Sequence, residues 1–375
     1  MPKKEGPSPK KERALTAAEV SRMIQQQGLE WVAEETPLSA LSLAEQKKHL
    51  GLLVTMEEIK RMATAVKRGA EEELRAFQAG LPFGAPTEKD WRNVGGKSYV
   101  TPVKNQGSCG SCVSFGSCAT IESNMRVKGQ DPDLKVDLSE AFLQFCGGGS
   151  CNGWGLTSGL EYAKNTGVTD EACLPYQPKN LPCNNRCSDW QSRLQKIKSY
   201  TAHNSVQARK NAIASIGPVL AGMAVYNDFF SYKSGVYVKS GGNLAGYHCI
   251  CIVGYDDSQQ CWILKNSWGT GWGENGFCRL KYGQTDLLID SSWAFYSVDP
   301  DVVPAKGSGS AKHLLVDKHF GGAVLLWAYA GGEWRHRYIV DADLTGFVQE
   351  LFAADRVDVW WDKNLITLIR PWKTP

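Results

Sequence analysis

Residues 102–118 read PVKNQGSCGSCVSFGSC, and the reading of Cys109-Gly-Ser-Cys112 decides the rest. Taken alone, C-x-x-C fits a redox pair, half a zinc site, or one disulfide cysteine beside a nucleophile. The surroundings favour the third. Gly107 and Gly110 make a tight turn, and an apolar helix follows over 111–128, where Gly129 ends it. A cysteine at a helix N-terminus lies beside unpaired N–H groups and the positive end of the dipole, which favour thiolate. The same N–H groups can stabilise an oxyanion. Gln106, six residues upstream of Cys112, supplies a side-chain amide donor.

A nucleophile needs a base. Of the six histidines, His203 and His248 lie in the central region. His203 sits in the polar run YTAHNS, whereas His248 opens the strand-like run HCICIVGY, a rigid placement. The imidazole then needs an acceptor to orient it. Asn266 offers one in CWILKNSWGTGWGENGF, with Trp268 near enough in sequence to shield it.

Three blocks, VKNQGSCGSC, GYHCICIVGYD and KNSWGTGWGENGF, together resemble the papain-like cysteine proteases (papain/cathepsin family), in order, over roughly residues 87–300. The resemblance implies an α+β, papain-like two-subdomain fold: a helical subdomain carrying Cys112 and a β-barrel-like one carrying His248 and Asn266. It implies Cys112 as nucleophile, His248 as base, Asn266 as orienter, and Gln106 with the Cys112 N–H as oxyanion hole. Trp268 has a supporting place, chiefly in the core. The expected activity is endopeptidase cleavage through a thioester, with peptides bound between the subdomains. No cofactor or metal is implied.

The sequence departs from the family in four places. Val113 follows the nucleophile where the family has an aromatic. Cys151-Asn-Gly153-Trp154 stands where the family has Cys-Asn-Gly-Gly, so Gly153 and Trp154 still offer backbone to a substrate strand while the Trp154 ring crowds the site. Gly222, Gly246 and Tyr247 fall where the main specificity pocket is walled, which suggests a roomy pocket. The family's late disulfide has no obvious pair, and Cys261 and Cys278, flanking the KNSWG turn, are candidates to bond instead. For the other cysteines the resemblance implies Cys109–Cys151, and Cys146 with Cys183 or Cys187, leaving Cys173 for the other. Cys118 and Cys249 or Cys251 read as small apolar residues.

At 375 residues, with 22% charged and 42% apolar side chains, the chain predicts two or three domains. No apolar run is long enough to span a membrane. The net charge of +3 is accounted for by a basic tail at 1–13 that reads as disordered, so no basic face for nucleic acid is expected. Eight of the twelve cysteines lie between Cys109 and Cys187, which suggests a secreted, periplasmic or lysosome-like compartment. The N-terminus MPKKEGPSPKKER does not read as a secretory signal.

Residues 14–86 read as a helical propeptide, with a permanent helical domain as the alternative. Capping boxes stand at Thr16–Glu19, Ser42–Glu45 and Thr55–Glu58, with glycines 28, 51 and 69 as helix ends. Val20, Met23 and Ile24 share one face; Ile59, Met62, Ala63 and Val66 share another. AFQAGLPFGAPT (76–87) is the expected cleft-blocking segment, with cleavage around 80–87. DVVPAKGSGSAK (301–312) reads as a flexible linker. Residues 313–375 read as a small α+β domain of two hairpins and a helix over 344–355. Its tryptophans make either a small core or a binding face. The chain is expected to be a monomer acting on proteins or peptides, with its own propeptide as inhibitor. The competing functions are an inactive papain-like binding protein and a peptide ligase on the same scaffold.

Overall fold

Three short polar signatures start three helices. In each, a hydroxyl accepts the backbone N–H three residues on while that residue's carboxylate accepts the first residue's N–H: Thr16 with Glu19, Ser42 with Glu45, Thr55 with Glu58. The helices are α1 (Ala17–Gln26), α2 (Leu43–Lys47) and α3 (Met56–Gln78). These belong to a computed structural model that describes residues 13–78, 84–283 and 295–300, and six strands between 307 and 372. Gly28 ends α1 in the left-handed region, at φ +64, as its position predicts. Gly69 does not end a helix. It lies inside α3, where an added Cβ would come within 2.8 Å of the Asn204 carbonyl oxygen, so close packing explains it. Val20 and Ile24 are buried as the α1 pattern predicts. The side chains of Met62, Ala63 and Val66 lie outside the described residues.

The remaining helices are α4 (Cys112–Gly129), α5 (Leu156–Asn165) and α6 (Val206–Ser215). Gly129 is the last residue of α4, and Gln130 takes the left-handed position instead, at φ 58. The strands are β1 (Val32–Ala33), β2 (Glu88–Asp90), β3 (Ile197–His203), β4 (Val219–Tyr226), β5 (Tyr232–Ser234), β6 (Val236–Tyr237), β7 (Leu244–Asp256), β8 (Cys261–Lys265), β9 (Phe277–Lys281) and β10 (Phe295–Pro300). They build a sheet in the order β3-β10-β4-β7-β8-β9-β6, with β2 added to β7 and β1 paired separately with β5.

Two apolar cores result. One lies within the sheet around Trp262, Trp268, Trp272, Phe229 and Phe230; the other joins α4 and α5 through Cys112, Val113, Leu143, Trp154 and Leu160. This is the mixed two-subdomain architecture expected. The N-terminal segment belongs to both: Val20, Ile24, Trp31, Leu38 and Leu50 pack into the first, Leu52 into the second.

Further along, β11 (Gly307–Ser310), β12 (His313–Lys318), β13 (Val324–Ala330), β14 (Glu333–Ile339), β15 (Arg356–Asp362) and β16 (Leu365–Trp372) form a six-stranded sheet in the order β11-β15-β16-β14-β13-β12. Both expected hairpins are present as antiparallel pairs, β13–β14 and β15–β16. The expected helix at 344–355 lies outside the described residues. Part of the expected linker is a strand, since Gly307–Ser310 pairs with β15.

Three disulfides form: Cys109–Cys151, Cys146–Cys183 and Cys173–Cys187. The expected Cys261–Cys278 bond does not. β8 and β9 are neighbours, but their register sets Cys261 opposite Lys281 and Cys278 opposite Leu264. The two thiols are thus three positions apart along the ladder, about 10 Å, beyond disulfide reach. Denaturation in iodoacetamide without reductant should therefore label six cysteines, at 112, 118, 249, 251, 261 and 278. Peptide mapping checks this; a Cys261–Cys278 link would remove two of them.

Candidate active site

Cys112 opens α4, which is buried on nearly all sides. The Ser111 hydroxyl at the N-cap gives the helix no side-chain cap and bonds Tyr176 Oη at 2.7 Å instead. The first-turn N–H groups are therefore left for other acceptors. Backbone N–H groups of Cys249, Gly51, Val113 and Cys112 itself lie around the Cys112 sulfur and favour its thiolate. Because Cys249 directly follows His248, the Cys249 contact brings β7 to the head of α4.

His248 is fully buried on β7. Its Nε2 donates to Asn266 Oδ1 at 2.8 Å. That oxygen also accepts the Ser267 N–H at 2.7 Å, which fixes the amide's orientation. Since Oδ1 can only accept, Nε2 carries the proton and Nδ1 is the basic nitrogen. Nδ1 has no hydrogen-bond partner. Trp268 covers the pair, its ring 4.7 Å from the imidazole and stacked on Phe230 at 5.4 Å. His203 takes another part: it bonds Ser297 on β10, in the sheet's far edge.

Gln106 is joined to the Asn266 turn. Its N–H donates to the Ser267 carbonyl at 2.9 Å, and its side-chain oxygen accepts Ser267 Oγ at 2.6 Å. Below lies a buried ionic lattice that sequence reasoning missed. Lys104 meets Glu140 at 2.7 Å and Glu122 at 3.5 Å; Thr101 bonds both Glu122 and Lys265. Burial holds Glu140 up at about 8 in spite of Lys104. A glutamate midway along the apolar helix at 122 was the available signal.

The cleft is filled by the chain itself, and of the expected segment 76–87, residues 76–78 close α3. Residues 79–83 lie outside the described residues. Pro86 is bonded to Tyr255, seven residues and about 23 Å of strand beyond His248. Residues 49–53 occupy the cleft. The His49 carbonyl accepts Gln106 Nε2 at 3.1 Å and Trp268 Nε1 at 3.3 Å. The Gly51 carbonyl accepts the Trp154 N–H at 2.8 Å, the Leu53 N–H reaches the Trp154 carbonyl at 2.9 Å, and the Leu52 N–H reaches the Tyr247 carbonyl at 3.2 Å. The fit leaves no room for side chains at the crossings. A Cβ on Gly51 would lie 1.9 Å from the Gly110 carbonyl oxygen, and one on Gly153 2.4 Å from the Gly51 oxygen. Leu50 abuts Gly246. Gly222 lies within β4, opposite Cys249. The signal overlooked was the apolar run LGLLV between two capping boxes.

Trp154 does not crowd the cleft with its ring. The ring is buried between Gly147 and Gly159, beside Val113, so the two departures from the family pattern pack together and only the Trp154 backbone faces the segment.

Burial governs the electrostatics. It pushes the Cys112 thiol up to about 12, past the lowering effect of the surrounding N–H groups. It pushes His248 down to about 4, past the raising bond from Asn266. His49, also buried, is lowered by the same cause, and neither ring nitrogen has a partner. Covered by residues 49–53, the site holds a neutral thiol and a neutral imidazole.

The papain family cysteine protease pattern matches residues 85–296. Cysteine proteinase 1 of Entamoeba histolytica is 36% identical over 248 residues, 63% of this chain and 73% of that protein. The chain belongs to the papain family of cysteine proteases. Cathepsin B-like CP2 of Giardia intestinalis is 34% identical over 203 residues, 51% of this chain and 67% of that one. Among solved structures, procathepsin B S9 from Trypanosoma congolense has a TM-score of 0.61 at 22% identity, covering 77% of this chain and 99% of its own. The shared fold thus reaches beyond residues 85–296. As a family member this protein is a cysteine peptidase.

The cover sets an expected reactivity. In the full chain at neutral pH, Cys112 should react with iodoacetamide slowly, because little thiolate exists. Gly51→Ala should dislodge the segment and speed labelling by roughly a hundredfold. Time-resolved peptide mapping of the Cys112 peptide measures both; equal rates would mean that the segment does not cover the thiol.

Proposed function

We propose that this protein is an endopeptidase made as a zymogen, with Cys112 as nucleophile, His248 as base, Asn266 as orienter, and Gln106 with the Cys112 N–H as oxyanion hole. One observation carries the reading: a peptide strand of the chain lies in the cleft and meets the sulfur with an N–H, that of Gly51. A thiol facing a donor has no electrophilic carbon to attack, so the segment inhibits without being cut. Gly153, Trp154, Gly246 and Tyr247 hold the segment now and would hold a substrate strand after its release. Leu50 and Leu52 anchor it on opposite walls, each side chain worth about 2 kcal/mol of burial.

Release of the segment rehydrates the site. The thiol then passes its proton to His248 Nδ1, and the ion pair is stabilised by the N–H groups at the head of α4. The thiolate attacks a peptide carbonyl whose oxygen enters the Gln106 hole; each donor there is worth roughly 3 kcal/mol. His248 protonates the leaving amine, and water then hydrolyses the thioester with His248 as base. Three disulfides support an oxidising compartment.

The deciding experiment incubates full-length wild type and Cys112→Ala with a reducing thiol at mildly acidic pH. Loss of the N-terminal segment together with rising hydrolysis of a fluorogenic peptide, in wild type only, is the expected result. A wild type that stays inert after another protease has removed the segment would defeat the reading.

Acid should favour opening through His49. The Cys112–His248 pair carries one proton before and after, as thiol plus imidazole or as thiolate plus imidazolium. His49 is held neutral in the closed cleft and regains an ordinary value near 6.5 on release. Opening therefore takes up a proton below about pH 6.5 and gains up to tenfold per pH unit there. His49→Gln should flatten the pH dependence of processing below about pH 6.5. An unchanged slope would assign the acid response elsewhere.

A further inference from the structure

Two reduced thiols lie at the first two turns of α4, at Cys112 and against Gly116. Cys112 and Gly116 are four residues apart on one helix face, with about 5–6 Å between such positions. The Cys249 sulfur lies 3.2 Å from where a Cβ on Gly116 would sit, in the space that this glycine leaves. The Cys249 backbone N–H is donated to the Cys112 sulfur. Both cysteines belong to one apolar cluster, and neither is in a disulfide. Cys251, two residues on, lies a turn further along α4, at Thr120. Of the thiols on β7, Cys249 is thus the one level with the nucleophile. The Cys249 side chain packs against α4 one turn from Cys112, which places the two thiols in neighbouring positions of one cluster.

We infer that Cys249 is a resolving thiol for Cys112, and that the pair is a reversible oxidation site for hydroperoxides. The inference rests on Cys112 being the reactive nucleophile of the opened site. The Cys112 thiolate attacks the outer oxygen of the hydroperoxide. The O–O bond breaks, an alcohol or water leaves, and Cys112 becomes a sulfenic acid. The Cys249 sulfur then attacks the Cys112 sulfur. The S–O bond breaks, and the hydroxyl leaves with the Cys249 proton as water. In sum, two thiols lose two electrons and two protons to one hydroperoxide. Without a neighbour, the sulfenic acid proceeds to the irreversible sulfinic acid. Cys249 diverts it into a disulfide that thiol reductants reopen. The 49–53 segment keeps Cys112 out of reach, so the reaction belongs to the opened enzyme.

The test uses the full chain after processing, self-driven or by an added protease, desalted and treated with a slight excess of hydrogen peroxide. Wild type and Cys249→Ala are compared, each normalised to its own starting rate. In wild type, digestion without reductant should yield a peptide joining Cys112 to Cys249, and dithiothreitol should restore hydrolysis. In Cys249→Ala, Cys112 should appear as sulfinic acid, with recovery about tenfold lower. The inference is overturned if wild type gives no such peptide, whether Cys112 ends as sulfinic acid, stays unmodified or joins another cysteine. Equal recovery of the two proteins overturns it as well. Should the variant fail to fold, the wild-type map decides alone. A linked peptide from protein that hydrolysed nothing beforehand would sink the protease reading and leave the thiol pair standing.

Discussion

The seam between the Gln106 loop and the Asn266 turn holds the site together. Gln106 bonds Ser267 through backbone and side chain, Asn105 bridges Trp268, and the Gly269 N–H reaches the Lys104 carbonyl. One short polar joint thereby ties the approach to α4 to the turn after β8. The lattice of Lys104, Glu122, Glu140, Thr101 and Lys265 lies beneath it. Buried charges of this kind are costly unless each is answered, and removing one partner leaves the others exposed to that cost. The seam can therefore hardly shift by parts, which keeps the Gln106 side chain and the Asn266 amide that holds His248 in fixed relation.

In the proposed zymogen, a site built so rigidly would be silenced by occupation and not by deformation. The 49–53 segment occupies it through hydrogen bonds at Gln106, Trp154 and Tyr247. It also changes the solvent. Burial favours the neutral form of every group it covers, so thiol and imidazole each keep their uncharged state. Glycine is required where the segment crosses the wall, because Gly51 and Gly110 nearly touch backbone to backbone. The inhibitory grip thus depends on a missing side chain as much as on the leucines beside it.

The two departures from the family pattern have one physical account. A small Val113 after the nucleophile leaves space beside Gly159, and the Trp154 ring fills it from the next loop. The ring thereby packs against Val113 and Gly159 and leaves the cleft side to the Trp154 backbone, as a close-packed interior demands. The cysteines show the other side of packing. Cys118, Cys249, Cys251, Cys261 and Cys278 are all buried and unbonded, and Cys249 among them fills the gap at Gly116, one turn along α4 from Cys112.

Sequence alone determined what depends on local spacing and on residue chemistry. The capping boxes, the start of α4 at Cys112, the hairpins β13–β14 and β15–β16, and the Cys109–Cys151 bond were all legible, because each is set by residues close in sequence or by a motif of fixed chemistry. The order of Cys112, His248 and Asn266 was legible for the second reason. Tertiary structure decided what depends on register and on which segment lies nearest. Cys261 and Cys278 stand on adjacent strands yet miss each other, since pairing register is fixed by the whole sheet. Residues 49–53 fill the cleft, because the anchors for Leu50 and Leu52 lie on two cores that the chain assembles only on folding. The same assembly turns the Trp154 ring inward, against Val113 forty-one residues back, and seats Cys249 against Gly116, a glycine far away in sequence; such gaps exist only in three dimensions.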